Sequence, residues 1–306
     1  MITVESVSKS FNGKKAVDSI SFQANDQEVL VLLGTSGCGK TTTLKMINRL
    51  IEADSGNILI DGKNIQSQKV EDVRMGIGFV MQHSGLFPHY TIQQNIAVVP
   101  DLLKWSKKRT TERTLELLHK LHLSEELLSR FPNELSGGQQ QRVGIARALI
   151  ATSPVLLMDE PFGALDTITK ADIHSEFKSL EELKNKTIIL VTHDVQEAFD
   201  LGHKICLMDK GKIIQTGTPK EMLYHPENDF VKSFFAKNRL LLEYKVATLK
   251  DVKSHFKGGR LYEDLQFSEN TVVWNALQRL SADYSLSEDY EDLVKAFNEY
   301  RKFQTI

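Results

Sequence analysis

Cysteine is almost absent from this 306-residue chain, which has only Cys38 and Cys206. Two thiols cannot build a disulfide framework, so the chain reads as a protein of a reducing compartment. An excess of one charge is lacking too. The formal net charge is −2, from 38 basic and 40 acidic residues, which argues against a broad nucleic-acid footprint. No apolar run approaches the ~20 residues that cross a bilayer; VLVLL at 29–33 is typical. The opening ITVESVSKSF has no signal-peptide apolar core. Internal repeats and low-complexity linkers are missing as well. What remains is an ordinary composition, 41% hydrophobic and 25% charged, which sets disorder aside. The length suits a large core and a second, smaller unit. A soluble, cytoplasmic chain is expected.

The pattern along the chain is β/α alternation interrupted once. ITVESV (2–7) alternates apolar and polar residues, as a half-buried edge strand does. EVLVLL (28–33) is nearly all apolar and suits a strand covered on both faces. TTLKMINRLI reads as a helix, then NILIDG (57–62) and IGFVMQ (77–82) as strands. From about Thr91 to Thr152 the β signal disappears, and TERTLELLHKLHL and GQQQRVGIARALI carry helical spacing. Alternation returns with VLLMDE (155–160), a helix near 169–184, TIILVT (187–192), a short helix and KICLMD (204–209). Strands alternating with helices predict a mostly parallel α/β sheet. After about residue 239 the β content fades, and amphipathic helices are predicted near 271–282 and 288–303.

GTSGCGKT (34–41) matches the P-loop pattern, with an apolar strand before it and a helix after. Its glycines let backbone amides wrap phosphates. Lys40 adds a point charge, and the Thr41 hydroxyl can ligate Mg²⁺. Cys38 reads as a small filler. Asp159 and Glu160 end an apolar strand, where an open α/β sheet places its ligand. The first suits the Mg²⁺ shell and the second a general base for an attacking water. His193, at another strand end, reads equally as a structural hydrogen-bonder and as a γ-phosphate contact. Gln82 closes IGFVMQ and by itself could be a surface residue. Phe11 is either a small satellite core contact or a ring that stacks on adenine. LSGGQQQR (135–142) is by itself a helix start capped by Ser136, although its exposed amides also suit an anion.

Taken in order, Phe11, GTSGCGKT, Gln82, LSGGQQQR, VLLMDE, ALD (164–166) and His193 resemble the ATP-binding cassette (ABC) ATPases, over roughly residues 1–236. The resemblance implies an α/β fold, a P-loop NTPase of ABC type. It has a mostly parallel core sheet, an antiparallel N-terminal β subdomain and a helical insert at about 91–152 within a cassette of 1–239. A mainly helical extension follows at 240–306. ATP and Mg²⁺ are the implied ligands. ATP would meet Phe11, Val17, Gly34, Thr35, Ser36, Gly37, Cys38, Gly39, Lys40, Thr41, Thr42, Gln82, Asp166 and His193. Ser136, Gly137, Gly138 and Gln139 would reach the γ-phosphate held by a second cassette, head to tail in a homodimer. Thr41, Gln82 and Asp159 would hold the metal, and Glu160, His193, Gln82 and Lys40 would be catalytic.

A finer resemblance runs through MINRLIEADSGNILIDG, HSGLFPHYTIQQNIAVVPDLLKW and MDEPFGALDTITKADIHSEF. These stretches are similar to the ATPases of betaine, carnitine and choline importers. The implied function is hydrolysis of ATP to drive osmoprotectant uptake through a membrane permease fed by an extracytoplasmic binding protein. The chain would then sit at the cytoplasmic face of the membrane, peripherally, without touching nucleic acid or the solute. Leu86, Phe87 and Tyr90 are the expected permease contact. Thr167 departs from the proline that many relatives carry after ALD, which only loosens a turn. Importers of another small solute, such as an amino acid, are the alternative. A soluble ABC ATPase of repair or translation usually carries a long coiled-coil insert or two cassettes, and neither is present. A P-loop small-molecule kinase has no use for LSGGQQQR. The tail is too short for a tandem cystathionine-β-synthase pair and lacks its strands. Its two helices are expected to bury Trp274, Leu277, Phe297 and Tyr300 on the cassette or on a second copy's tail. Removal of 245–306 is expected to spare hydrolysis and weaken dimerisation or coupling.

Overall fold

The computed structural model describes residues 1–82, 85–163, 174, 177–255 and 267–304. These divide into two units, Met1–Thr216 and Gly217–Ile306. The division falls earlier than 239/240 because the helix at 219–224 packs with that at 239–246.

The first unit begins with strand β1 (Ile2–Phe11), which turns back at Asn12 and Gly13 into β2 (Lys14–Ala24). Both turn residues have positive φ, 49° and 76°, the geometry that makes Asn-Gly a hairpin signal. Next come β3 (Val29–Gly34), α1 (Lys40–Ile47), β4 (Ser55–Ile60), β5 (Lys63–Asn64), α2 (Val70–Met75) and β6 (Ile77–Val80). One sheet has the order β2-β1-β4-β5, and its β1 pairs antiparallel with both β2 and β4. Thus β1 is a central strand, not the edge strand expected. Alternation reports one buried face and cannot count hydrogen-bonded neighbours.

The helical insert holds α3 (Ile92–Leu102), α4 (Lys107–Lys120) and α5 (Gly137–Leu149). Thr91 starts α3 with a capping box to Gln94. The alternation then resumes through β7 (Val155–Asp159), α6 (Glu181–Lys184), β8 (Thr187–Thr192), α7 (Val195–Leu201), β9 (Lys204–Asp209) and β10 (Lys212–Gly217). Of the helix expected near 169–184, residues 169–173, 175 and 176 lie outside the described residues, and 177–179 and 181–184 are helical. The second sheet has the order β10-β9-β3-β8-β7-β6, with β3, β6, β7, β8 and β9 paired in parallel. Every residue of β7 and β8 is buried, as their unbroken apolar runs require. The expected architecture is therefore present: an antiparallel N-terminal sheet, a mainly parallel core sheet and a helical insert.

The second unit runs through α8 (Pro219–Tyr224), α9 (Asp229–Ala236), α10 (Arg239–Val246), α11 (Leu249–Val252), α12 (Val273–Ser281) and α13 (Ser287–Phe303). Its described residues outside β10 hold no strand, only the isolated bridge Thr248–Val272. The amphipathic faces of α12 and α13 do not wait for another body. Leu277, Leu280, Leu293 and Phe297 join Leu249 and Val252 in one core of this unit. Tyr244 of α10 stacks on Phe297, with ring centroids 4.0 Å apart. The expectation that these faces need the cassette or a second copy is corrected on this point. Helices α10 and α11, which carry no long apolar period, supply the missing cover.

Candidate functional site

The parallel strands β3, β7 and β8 all end on one side of the sheet, and the loops that follow them converge there. After β3 the chain forms the loop 34–39 and enters α1 at Lys40. Gly39 has φ 108°, and a Cβ there would lie 2.5 Å from the Ala16 carbonyl oxygen, so a side chain is excluded on two counts. Lys40 is buried, and its ammonium donates to the carbonyls of Gly34 (2.7 Å) and Thr35 (2.9 Å). Cys38 is buried beside it, and burial pushes its thiol up, which makes it an inert filler. A cavity of about 180 Å³ opens over this loop, lined by Ser36, Gly37, Gly39, Lys40, Thr41 and Thr42, with Ala16, Gln82 and Glu160.

The Thr41 hydroxyl donates to Asp159 Oδ1 at 2.8 Å and ties the start of α1 to the end of β7. Burial raises the Asp159 carboxyl above the usual carboxylate range, and the nearby Glu160 adds to this, while the Thr41 bond opposes it. Glu160 follows in the left-handed region, φ 44°, with its N–H donating to the Val191 carbonyl at 2.9 Å. A non-glycine residue in that region is strained by roughly 1–3 kcal/mol, and such residues gather at active sites. Both Glu160 oxygens are engaged. Gln82 Nε2 donates to Oε2 at 3.0 Å, and His193 Nδ1 lies 3.1 Å from Oε1. Three strand-end residues, Gln82, Glu160 and His193, thus meet at one point.

The other expected residues fall elsewhere. Val17 is fully buried and packs under Gly39, while its neighbour Ala16 reaches the cavity. Sequence reasoning missed Ala16, because an alanine on a distant strand carries no local signal. Phe11 is 47% exposed at the end of β1, with Lys9 Nζ 5.6 Å from its ring centroid, so it fills no satellite core. Ser136 caps α5: its hydroxyl accepts from the Gln139 N–H at 3.3 Å, and Gln139 Oε1 accepts from the Ser136 N–H at 3.0 Å. None of Ser136, Gly137, Gly138 and Gln139 lines this cavity, and Gly137 has open space where a Cβ would point. Asp166 lies outside the described residues.

A P-loop at the switch from β3 to α1, a buried acid hydrogen-bonded to its threonine and a strained glutamate beside both define a nucleoside-triphosphatase site on an α/β sheet. The ABC transporter family model matches residues 17–163. The chain is 50% identical over 277 residues to the glycine betaine uptake system ATP-binding protein YehX of Escherichia coli, covering 90% of this chain and 89% of that one. It is 53% identical over 242 residues to the glycine betaine/carnitine/choline transport ATP-binding protein OpuCA of Bacillus subtilis. That match takes in 79% of this chain but spans only 64% of OpuCA. Among solved structures it resembles the dimeric, ADP- and Pi-bound ATP-binding cassette MJ0796, with 32% identity and a TM-score of 0.66 over 71% of this chain and 98% of that one. The chain belongs to the ABC transporter family, among its ATP-binding proteins.

Proposed function

We propose that this chain hydrolyses ATP to drive import of a quaternary ammonium osmoprotectant such as glycine betaine, choline or carnitine. The observation that carries the ATPase reading is Glu160, set by Gln82 and His193 over the P-loop cavity. A carboxylate so placed takes the proton of a water attacking the γ-phosphate. Backbone amides of 34–42 and the Lys40 ammonium hold the phosphates. The donor set suits Mg²⁺: the Thr41 hydroxyl and Asp159 carboxylate are hard oxygens already 2.8 Å apart, and Gln82 adds an amide oxygen. Magnesium would neutralise phosphate charge there.

The start of α5, where Ser136 and Gly137 are exposed away from the chain's own cavity, supports a site completed by a second copy. The cassette MJ0796, to which the fold is similar, is dimeric in its post-hydrolysis state. A membrane partner is supported by a second cavity of about 650 Å³ lined by Met75, Met81, Phe87, Val99 and Leu102, with Arg147 at its side. Met81, Phe87 and Leu102 are exposed there at 45%, 41% and 69%, an apolar patch next to Gln82. Among the described residues no helix is long and apolar enough to cross a membrane. The solute class rests on the similarity to YehX, of a glycine betaine uptake system, and to OpuCA, of glycine betaine, carnitine and choline transport.

The test is co-purification from detergent extract followed by uptake. An integral membrane protein should copurify, and reconstituted vesicles should take up labelled choline or glycine betaine only with ATP. Robust hydrolysis with no membrane partner would remove the importer reading. Uptake of an unrelated solute would remove only the substrate.

A further inference from the structure

The second unit carries a cavity that the nucleotide chemistry does not use. It measures about 200 Å³ and is lined by Tyr244, Trp274, Leu277, Gln278, Ser281 and Tyr290. Its three rings come from three helices, α10, α12 and α13. The core beneath sets them: Tyr244 is stacked on the buried Phe297, and Leu277 is itself a core residue. Tyr290 is 37% exposed and forms a wall that meets solvent.

The lining has no formally charged side chain. Arg301 acts on Tyr244 from outside it, but its guanidinium is paired with the buried Glu243, which also takes Arg239 at 2.7 Å. Burial first, and then the neighbouring Tyr290, push the Tyr244 phenol up, so that ring stays neutral. The Ser281 hydroxyl donates its proton to the Gln278 carbonyl at 2.9 Å. A primary ammonium would leave water with three N–H groups to satisfy on neutral oxygens alone, since the lining holds no carboxylate. A quaternary ammonium has none to satisfy, and aromatic faces attract it through their quadrupoles. The volume is below the ~300–1,000 Å³ that takes drug-sized ligands, so it suits a methylated head on a short arm rather than a nucleotide.

We propose that this cavity binds a small quaternary ammonium cation, held by the rings of Tyr244, Trp274 and Tyr290. The lining supplies the ligand class. That the cation is also the imported solute rests on the function proposed above.

The purified full chain is titrated with choline and with its uncharged carbon isostere, and binding is read by calorimetry. Choline should bind with a Kd on the order of 1–10 mM, the isostere about tenfold more weakly or worse. Trp274→Leu and Tyr290→Ala should each weaken choline about fivefold or more, with an unchanged far-ultraviolet spectrum. Trp274→Phe, which keeps a ring, should retain most of the binding. No saturable binding up to ~100 mM, equal binding of the isostere, or indifference to both ring deletions overturns the proposal. Uptake measured in parallel separates the two readings. Choline transport without binding in this cavity defeats this inference alone, whereas binding here with transport of another solute defeats only the substrate assignment.

Discussion

The side-chain amide of Gln82 donates to Glu160 Oε2 at 3.0 Å, linking the end of β6 to the residue after β7. Gln82 also begins the stretch that carries Phe87 and the apolar cavity around it. One side chain therefore touches the carboxylate and adjoins the patch suited to a partner.

Glu160→Gln keeps the size of the side chain but cannot accept the water's proton. ATP should bind with near-parental affinity while turnover falls by about 10²–10⁴-fold, and an ATP-bound dimer should accumulate on gel filtration. Near-parental phosphate release would remove Glu160 as the base.

The composite site is tested at α5. Ser136→Arg puts bulk and charge where a partner's γ-phosphate is proposed to rest, and it removes the cap over Gln139. Monomeric ATP binding should survive and dimerisation fail. Mixed with Lys40→Ala, the two proteins should form heterodimers with one intact composite site and one that carries both lesions, so mixing should restore part of the activity. Full activity of Ser136→Arg argues for a site closed within one chain.

Phe11 is half exposed at the end of β1, whose partner strand β2 carries Ala16 of the P-loop cavity. Phe11→Tyr should be silent, and Phe11→Ala should weaken ATP by about 0.5–1.5 kcal/mol. Equal affinity across all three would leave Phe11 without a nucleotide role.

Asp159 gives a pH-dependent prediction. Its folded carboxyl is raised above the usual range, chiefly by burial, so the folded chain binds that proton more readily than the unfolded one. The stabilising contribution is present below the unfolded value and is lost as pH rises through the folded one. At neutral pH, Asp159→Asn should therefore raise the melting midpoint by about 2–4 °C, and acidification should close the gap. Mg²⁺-dependent hydrolysis should be lost. A variant that melts below the parent at neutral pH contradicts the burial argument.

In the tail, Glu243 is 1% exposed and bonded by both Arg239 and Arg301. Glu243→Leu should cost about 2–3 kcal/mol, below the ~3–5 of a fully buried pair because both arginines can turn to solvent. The loss is read from urea unfolding followed at Trp274. The same packing makes a truncation at 245 uninformative, since that cut falls inside α10.

How much of this was legible beforehand depends on the range of the interaction. Unbroken apolar runs announced β3, β7 and β8, since a strand buried on both faces has no choice of composition. The P-loop and the Ser136 cap were readable because their bonds close within a few residues. The Asn12–Gly13 hairpin is equally local, and the dipeptide alone is a signal for β2. Pairing across distant segments is of another kind. That β1 lies between two strands, that Ala16 crowds Gly39, and that α10 covers Phe297 leave no periodic trace. The sequence alone determined which side chains could do phosphate chemistry, because residue type sets charge, donors and backbone freedom. Only the tertiary structure decided that Gln82, Glu160 and His193 share one hydrogen-bonded point, because three strand ends meet only when the sheet order brings them side by side.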